Sequence, residues 1–183
     1  MSEELMVRHC SPTLAGIKTA NLISCRVTSK KALYDEIRRL NRRLGRKGLR
    51  IFPLKVTDTK ALIYVYRPAK LIRDLADPRA YELMRRFGYD TSSINRCLME
   101  LSRRLSESDE FPHEIGLFLG YPPEDVEGFI DNNAEGCKFV GIWKVYGDEI
   151  AARKLFEKYR KCTAVYTSHW QMGKPVERLT VAG

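Results

Sequence analysis

An order of elements that recurs near each end of the chain, strand, helix, strand, strand, restricts the fold more than any other pattern in the 183 residues. The first copy occupies residues 18–67, with regular elements over 21–67, and the second occupies 138–181. Arg26-Val27 ahead of Lys31-Ala32-Leu33-Tyr34-Asp35-Glu36-Ile37 answers Lys144-Val145 ahead of Glu149-Ile150-Ala151-Ala152-Arg153-Lys154-Leu155. A unit of this size cannot bury its own sheet face, so two copies imply modules that pair, with a cleft between them. Residues 68–132 differ: Pro68, Pro78, Ser92, Pro112 and Pro122 each open a helical segment, and no strand pattern intervenes. The expectation is an α+β chain, a single domain over 1–183, built as two strand-helix-strand-strand modules with a helical insertion between them.

In the first copy, residues 21–27 alternate as a strand does. Ser29 caps a helix ending at Gly45, whose Leu33, Ile37, Leu40 and Leu44 form one apolar stripe. Strands over 49–56 and 61–66 follow, joined by Thr57-Asp58-Thr59-Lys60. In the second copy the same reasoning predicts a strand over 139–145, a helix over 147–159, and strands over 163–170 and 176–181 around the Gly173-Lys174-Pro175 turn.

The charge is uneven. Residues 1–105 hold 23 Lys or Arg against 10 Asp or Glu, whereas residues 106–183 hold 9 against 13, within an overall net charge of +9. Such asymmetry suggests a basic half that meets an anion. Arg38, Arg39, Arg42, Arg43 and Arg46 lie mostly off the apolar stripe of the 29–47 helix and form its polyanion-binding candidate. No apolar run is long enough to span a bilayer, and Met1-Ser2-Glu3-Glu4 is acidic where a secretory signal is basic. A soluble cytoplasmic protein without membrane insertion is the expectation. The five cysteines, Cys10, Cys25, Cys97, Cys137 and Cys162, are odd in number and scattered, which fits reduced thiols better than a disulfide frame.

Three constellations bear on chemistry. In His9-Cys10-Ser11-Pro12-Thr13-Leu14-Ala15-Gly16-Ile17-Lys18, Ser11 reads as an N-cap and Pro12 as the first residue of a short helical turn. A helix start directs free N–H groups and positive partial charge outward, which suits an anion or a thiolate. His9, Cys10, Ser11, Thr13 and Lys18 are therefore candidate ligand-binding residues, against the simpler reading of a structural cap with a buried cysteine. In Phe111-Pro112-His113-Glu114-Ile115-Gly116, an imidazole adjoins an acid, and His113 joins the candidate set; neighbours on a helix nonetheless diverge by about 100°. Neither His9/Cys10, His113/Glu114 nor His169 has chelating spacing, so no metal site is expected. Residues 112–132 outline a helix-turn-helix, but Glu124, Asp125, Glu127 and Asp131 would repel phosphates, leaving a core unit with Phe118, Val126, Phe129 and Ile130 inward.

The segments His9 to Lys18, Phe111 to Gly116 with Gly120-Tyr121-Pro122 and Asp125-Val126, and Trp143-Lys144-Val145-Tyr146 together resemble an uncharacterised bacterial family classed as a domain of unknown function. The resemblance covers nearly the whole chain and implies no activity and no catalytic residues. The tandem plan is also similar to that of the regulatory domains related to gyrase inhibitory proteins and SOUL haem-binding proteins, which implies a small-molecule groove between modules. The expected function is binding of a small anionic or aromatic ligand in that cleft, with Trp143, Tyr146 or Trp170 contributing. One alternative is weak, nonspecific binding of RNA or another polyanion through the arginine face. The other is a thiol enzyme with Cys10 as nucleophile and a histidine as base, for which no third member is visible.

Overall fold

The computed structural model describes residues 2–108 and 110–183. It is α+β, with 56% helix and 14% strand. The chain divides into two compact units, one formed up to Lys70 together with Lys161–Gly183, the other by Leu71–Arg160.

In the first unit, α1 (Glu3–Leu14) leads into β1 (Ala20–Arg26), α2 (Lys30–Leu44), β2 (Arg50–Val56) and β3 (Lys60–Tyr66). Ser29 caps α2 by accepting from the Ala32 amide, and the predicted stripe of Leu33, Ile37, Leu40 and Leu44 is buried. The strands form an antiparallel sheet in the order β1-β3-β2. Alternation along β3 sends Ala61, Ile63 and Val65 into one core with Met6, Val7, Cys10 and Leu14 of α1 and the stripe of α2. On the opposite face, Tyr64 and Tyr66 stack with ring centroids 4.8 Å apart. At the unpaired edge of β2, Asn41 satisfies Ile51: its amide accepts from the Ile51 N–H and donates to the Ile51 carbonyl, both at 2.9 Å.

The second unit is mainly helical: it contains α4 (Pro78–Arg86), α5 (Ile94–Glu107), α6 (Ile115–Phe118) and α7 (Pro123–Asp131). Before them, α3 (Pro68–Leu75) passes from the first unit into the second. A two-residue-per-strand hairpin follows, β4 (Phe139–Val140) with β5 (Lys144–Val145), and then α8 (Glu149–Gln171), whose last turns belong to the first unit. The insertion over 68–132 is helical as expected.

The second strand-helix-strand-strand copy does not form. Residues 163–170, expected as a strand, continue α8 to a length of 23 residues, and residues 176–179 form a short helix, α9 (Val176–Leu179). The reason is periodicity: Ala152, Phe156, Tyr159, Thr163, Tyr166 and Trp170 recur at alternating steps of four and three, one stripe of a single helix. The β-branched and aromatic residues of Thr163-Ala164-Val165-Tyr166 favour a strand locally, but no Pro or Gly interrupts the stripe before Gly173. There the Lys174 amide donates back to the His169 carbonyl and closes the helix. The likeness to the gyrase-inhibitor and SOUL plan, which needs a second module, falls with it.

Arg67 ties the first unit together. Its guanidinium is 3% exposed and donates from Nε to the Thr13 carbonyl (2.7 Å), from Nη2 to the carbonyls of Leu14 (2.7 Å) and Val181 (2.8 Å), and from Nη1 to that of Lys47 (3.3 Å). The group thus satisfies the carbonyl end of α1, the turn after α2 and the C-terminal segment at once. Hydrogen bonds to a charged donor contribute about 1.5–3 kcal/mol each, and stranding a buried acceptor is costly. Arg67→Met is therefore expected to destabilise the first unit by about 3 kcal/mol or more in denaturant melts monitored by circular dichroism. Arg67→Lys should recover less than half of that, because an ammonium cannot reproduce the planar fork.

Candidate functional site: an aromatic-walled pocket beside the His113 turn

The segment from His9 to Lys18 lies at the opposite pole of a helix from the one its Ser-Pro pair suggests. α1 begins at Glu3, with Ser2 accepting from the Leu5 amide and Glu3 and Glu4 in its first turn. Ser11 is not an N-cap and Pro12 is not a first helical residue; both sit in the last turns of α1. Pro12 has no N–H to donate back along the helix, and the Ser11 hydroxyl donates to the Val7 carbonyl. The helix closes in a Schellman motif: Gly16, at φ +72°, donates to the Thr13 carbonyl (3.1 Å) and Ile17 to the Pro12 carbonyl (2.9 Å). This end carries negative partial charge, and the buried Arg67 cation occupies it.

The candidate residues accordingly point inward. Cys10, Ser11 and Thr13 are fully buried and Lys18 is nearly so, whereas His9 is exposed. Thr13 donates its hydroxyl to the Asn21 side-chain oxygen at 2.8 Å. Burial pushes the Cys10 thiol up to about 12, countered in part by the Lys18 charge, and the same burial pushes Lys18 down to about 8. A thiol held protonated in an apolar core is not an activated nucleophile. His113 belongs to the other unit. On the arginine face, Arg38 pairs with Asp35, Arg39 with Glu36, and Arg43 with Glu3 and Glu177, so carboxylates compensate three of the five guanidinium groups. Arg42 and Arg46 are exposed. Trp170 is half-buried against the core of the first unit.

In the second unit a different group of residues encloses space. The chain after Pro112 turns tightly into α6, with Ile115 donating to the Pro112 carbonyl and Gly116 to that of His113. α6 lies so close to α7 that a Cβ on Gly116 would stand 2.7 Å from Val126 Cγ2. In α7, the buried Asp125 accepts three hydrogen bonds of 2.7 Å, from Trp143 Nε1 and from the amides of Tyr146 and Gly147. One carboxylate thereby fastens the hairpin to α7 and orients the indole. Trp143 also stacks on Tyr121 at 4.3 Å and meets Phe156 edge-on at 4.4 Å. Tyr146 lies against α7 at Gly128, and burial raises its phenol pKa.

The pocket, open to solvent on one side, has a volume of about 420 Å³. Trp143, Tyr121, Phe129, Ile115, Leu119 and Val126 wall it, and His113 and Lys144 also line it. The His113 ring meets Phe129 edge-on at 5.0 Å, and Lys144 Nζ lies 5.8 Å from the centre of the same ring while donating to the Ala134 carbonyl at 2.7 Å. A smaller cavity of about 300 Å³ shares His113 and Phe111 and is lined by Arg104 and Glu114. Its floor is a closed polar network: the buried Glu114 accepts from the Tyr89 hydroxyl (2.9 Å) and Arg104 (3.3 Å), and Arg104 lies over the Tyr89 ring at 4.4 Å. Burial, reinforced by the Glu114 charge, raises the Tyr89 phenol well above its ordinary value.

The sequence marks His113 and the aromatic Trp143 as candidates, but it shows Asp125 only as one of four carboxylates that would repel phosphates, and it does not mark Lys144 as a site residue. Gly116, against Val126, marks the close approach of α6 and α7, but no local pattern places Asp125 opposite the hairpin.

These features define an α+β protein whose helical unit holds a preformed aromatic pocket. The chain belongs to the family described as "Protein of unknown function (DUF3793)", which matches residues 6–180. No curated protein and no solved structure matches it. Among the described residues, no helix is long and apolar enough to cross a membrane.

Two outcomes follow from this geometry. Asp125→Asn sets an amide donor against one of three N–H donors and is expected to cost about 1–3 kcal/mol, with a red-shifted Trp143 emission as the hairpin loosens. For Lys18 the unfolded chain keeps the proton up to its ordinary 10.5 while the folded chain releases it from about 8. Burial of the ammonium therefore costs stability below about pH 8, and the cost is relieved as pH rises; Cys10 acts with the opposite sign only above about pH 9. The stability of the native protein relative to Lys18→Met should be flat below about pH 8 and rise between about pH 8 and pH 10 in thermal melts.

Proposed function

We propose that the protein binds a small, flat aromatic molecule in the pocket of its helical unit, between Trp143, Tyr121 and Phe129. The observation that carries this reading is the conjunction of an aromatic-walled pocket of about 420 Å³ with an indole whose position is fixed by a buried carboxylate. Small-molecule sites are usually preformed, mostly apolar clefts of roughly 300–1,000 Å³ with a few placed polar groups. Aromatic walls favour planar ligands, since offset stacking and edge contacts add about 0.5–1.5 kcal/mol each beyond the area removed from water. The expected cleft between two modules is replaced in this proposal by a pocket within one unit.

Indole serves as the test ligand, titrated by calorimetry. Val140 and Ile142 line the pocket yet are 61% and 43% exposed, so a larger side chain at either can fill the space without disturbing the core. Saturable indole binding is expected, weakened roughly fivefold or more by Val140→Trp or Ile142→Trp with the melting temperature nearly unchanged. Indole affinity in both variants equal to that of the native protein would refute the assignment.

A further inference from the structure

We infer that the pocket's ligand is an aromatic acid, its ring against Trp143 and Tyr121 and its carboxylate at the Lys144 end of the pocket. The inference rests on the pocket reading above and adds the chemical class of the ligand.

Charge at the pocket comes from two side chains of opposite sign, and they are not equivalent. Asp125 already accepts three short hydrogen bonds from fixed N–H donors, so its negative charge is compensated within the protein and little acceptor capacity remains. Lys144 carries three N–H bonds, of which the Ala134 carbonyl takes one. That carbonyl and the face of Phe129 hold the ammonium at the pocket wall while its other donors stay available to an anion. His113, which also lines the pocket, packs against the same Phe129 ring. Both groups thus adjoin one ring, Phe129, while Trp143 and Tyr121 stack on each other in the pocket wall.

An aromatic box invites comparison with sites for quaternary ammonium groups, which bind through the faces of Trp, Tyr and Phe. Here the cation position over Phe129 is already held by Lys144, whose charge opposes a second cation. A neutral arene would use the walls and leave the Lys144 ammonium without an anionic partner. An aryl carboxylate uses both, gaining a charge-assisted hydrogen bond in a partly desolvated setting.

The test compares three probes of similar shape on the full chain: 2-naphthoate, 2-naphthalenemethanol and benzyltrimethylammonium. Affinity is read by calorimetry and location by the shift of the Trp143 indole N–H resonance. The expected result is naphthoate binding roughly tenfold tighter than the alcohol, the ammonium probe weakest, and the Trp143 resonance moved by naphthoate. Lys144→Gln removes the charge, so it should bring the ratio of naphthoate to alcohol affinity close to one, whatever its effect on the two affinities together. Equal affinities for naphthoate and alcohol in the native protein would overturn the acid assignment and leave the pocket standing. Tighter binding of the ammonium probe, or a naphthoate preference that survives Lys144→Gln, would also overturn it. Failure of all three probes to bind would overturn both readings together.

Discussion

A helix that ends inside a protein leaves carbonyl groups that need donors, and in the first unit one side chain meets that need. Arg67 leaves the end of β3 and reaches the last carbonyls of α1, the turn after α2 and the C-terminal segment. The three-stranded sheet, the two helices on it and the segment after α8 are thereby fixed relative to one cation. The guanidinium donates to backbone carbonyls, so its charge is met by carbonyl dipoles and the negative pole of α1. Burial lowers its pKa, yet an arginine remains charged under any ordinary condition, so the arrangement does not switch with pH.

The second unit uses the converse device. A single buried carboxylate, Asp125, gathers three donors from the hairpin and turns a two-residue-per-strand ladder into a fixed wall. Two strands of two residues have almost no stability of their own, so the hairpin's geometry derives from Asp125, from the Tyr121 to Trp143 to Phe156 ring series and from the Lys144 bond to Ala134. Fixing that wall keeps the pocket open beside α6 and α7. A pocket that persists without a ligand avoids part of the ordering cost of binding.

The conspicuous His9 to Lys18 signature has a structural account: a helix stop with a proline in the last turn, a glycine at positive φ and a buried arginine behind it. Its residue types imitate an anion site because the same elements, Ser, Pro, Gly and a cation, serve both ends of a helix in different order. Read forward from Ser11, the pattern suggests a beginning; read with Gly16 and Ile17 it is an end. Ser2-Glu3-Glu4 was the competing start signal.

Local chemistry in the sequence determined the first module almost to the residue, because Ser29, the stripe from Leu33 to Leu44 and the alternation in β3 all favour the same elements. It also determined the helical character of 68–132, where prolines and caps set the helix starts. Sequence periodicity held the answer for α8 too, in the stripe from Ala152 to Trp170, but local β-propensity competes with it and a helix of that length is decided by what its stripe packs on. Only the tertiary structure decided the direction in which Cys10 and Thr13 point, the burial of Arg67 and Asp125, and the meeting of His113, Phe129 and Lys144. Each of those depends on residues far apart in the chain finding donors or acceptors that no local pattern encodes. A buried charge is specified by its partners, and its own residue type does not distinguish it from a charge in solvent.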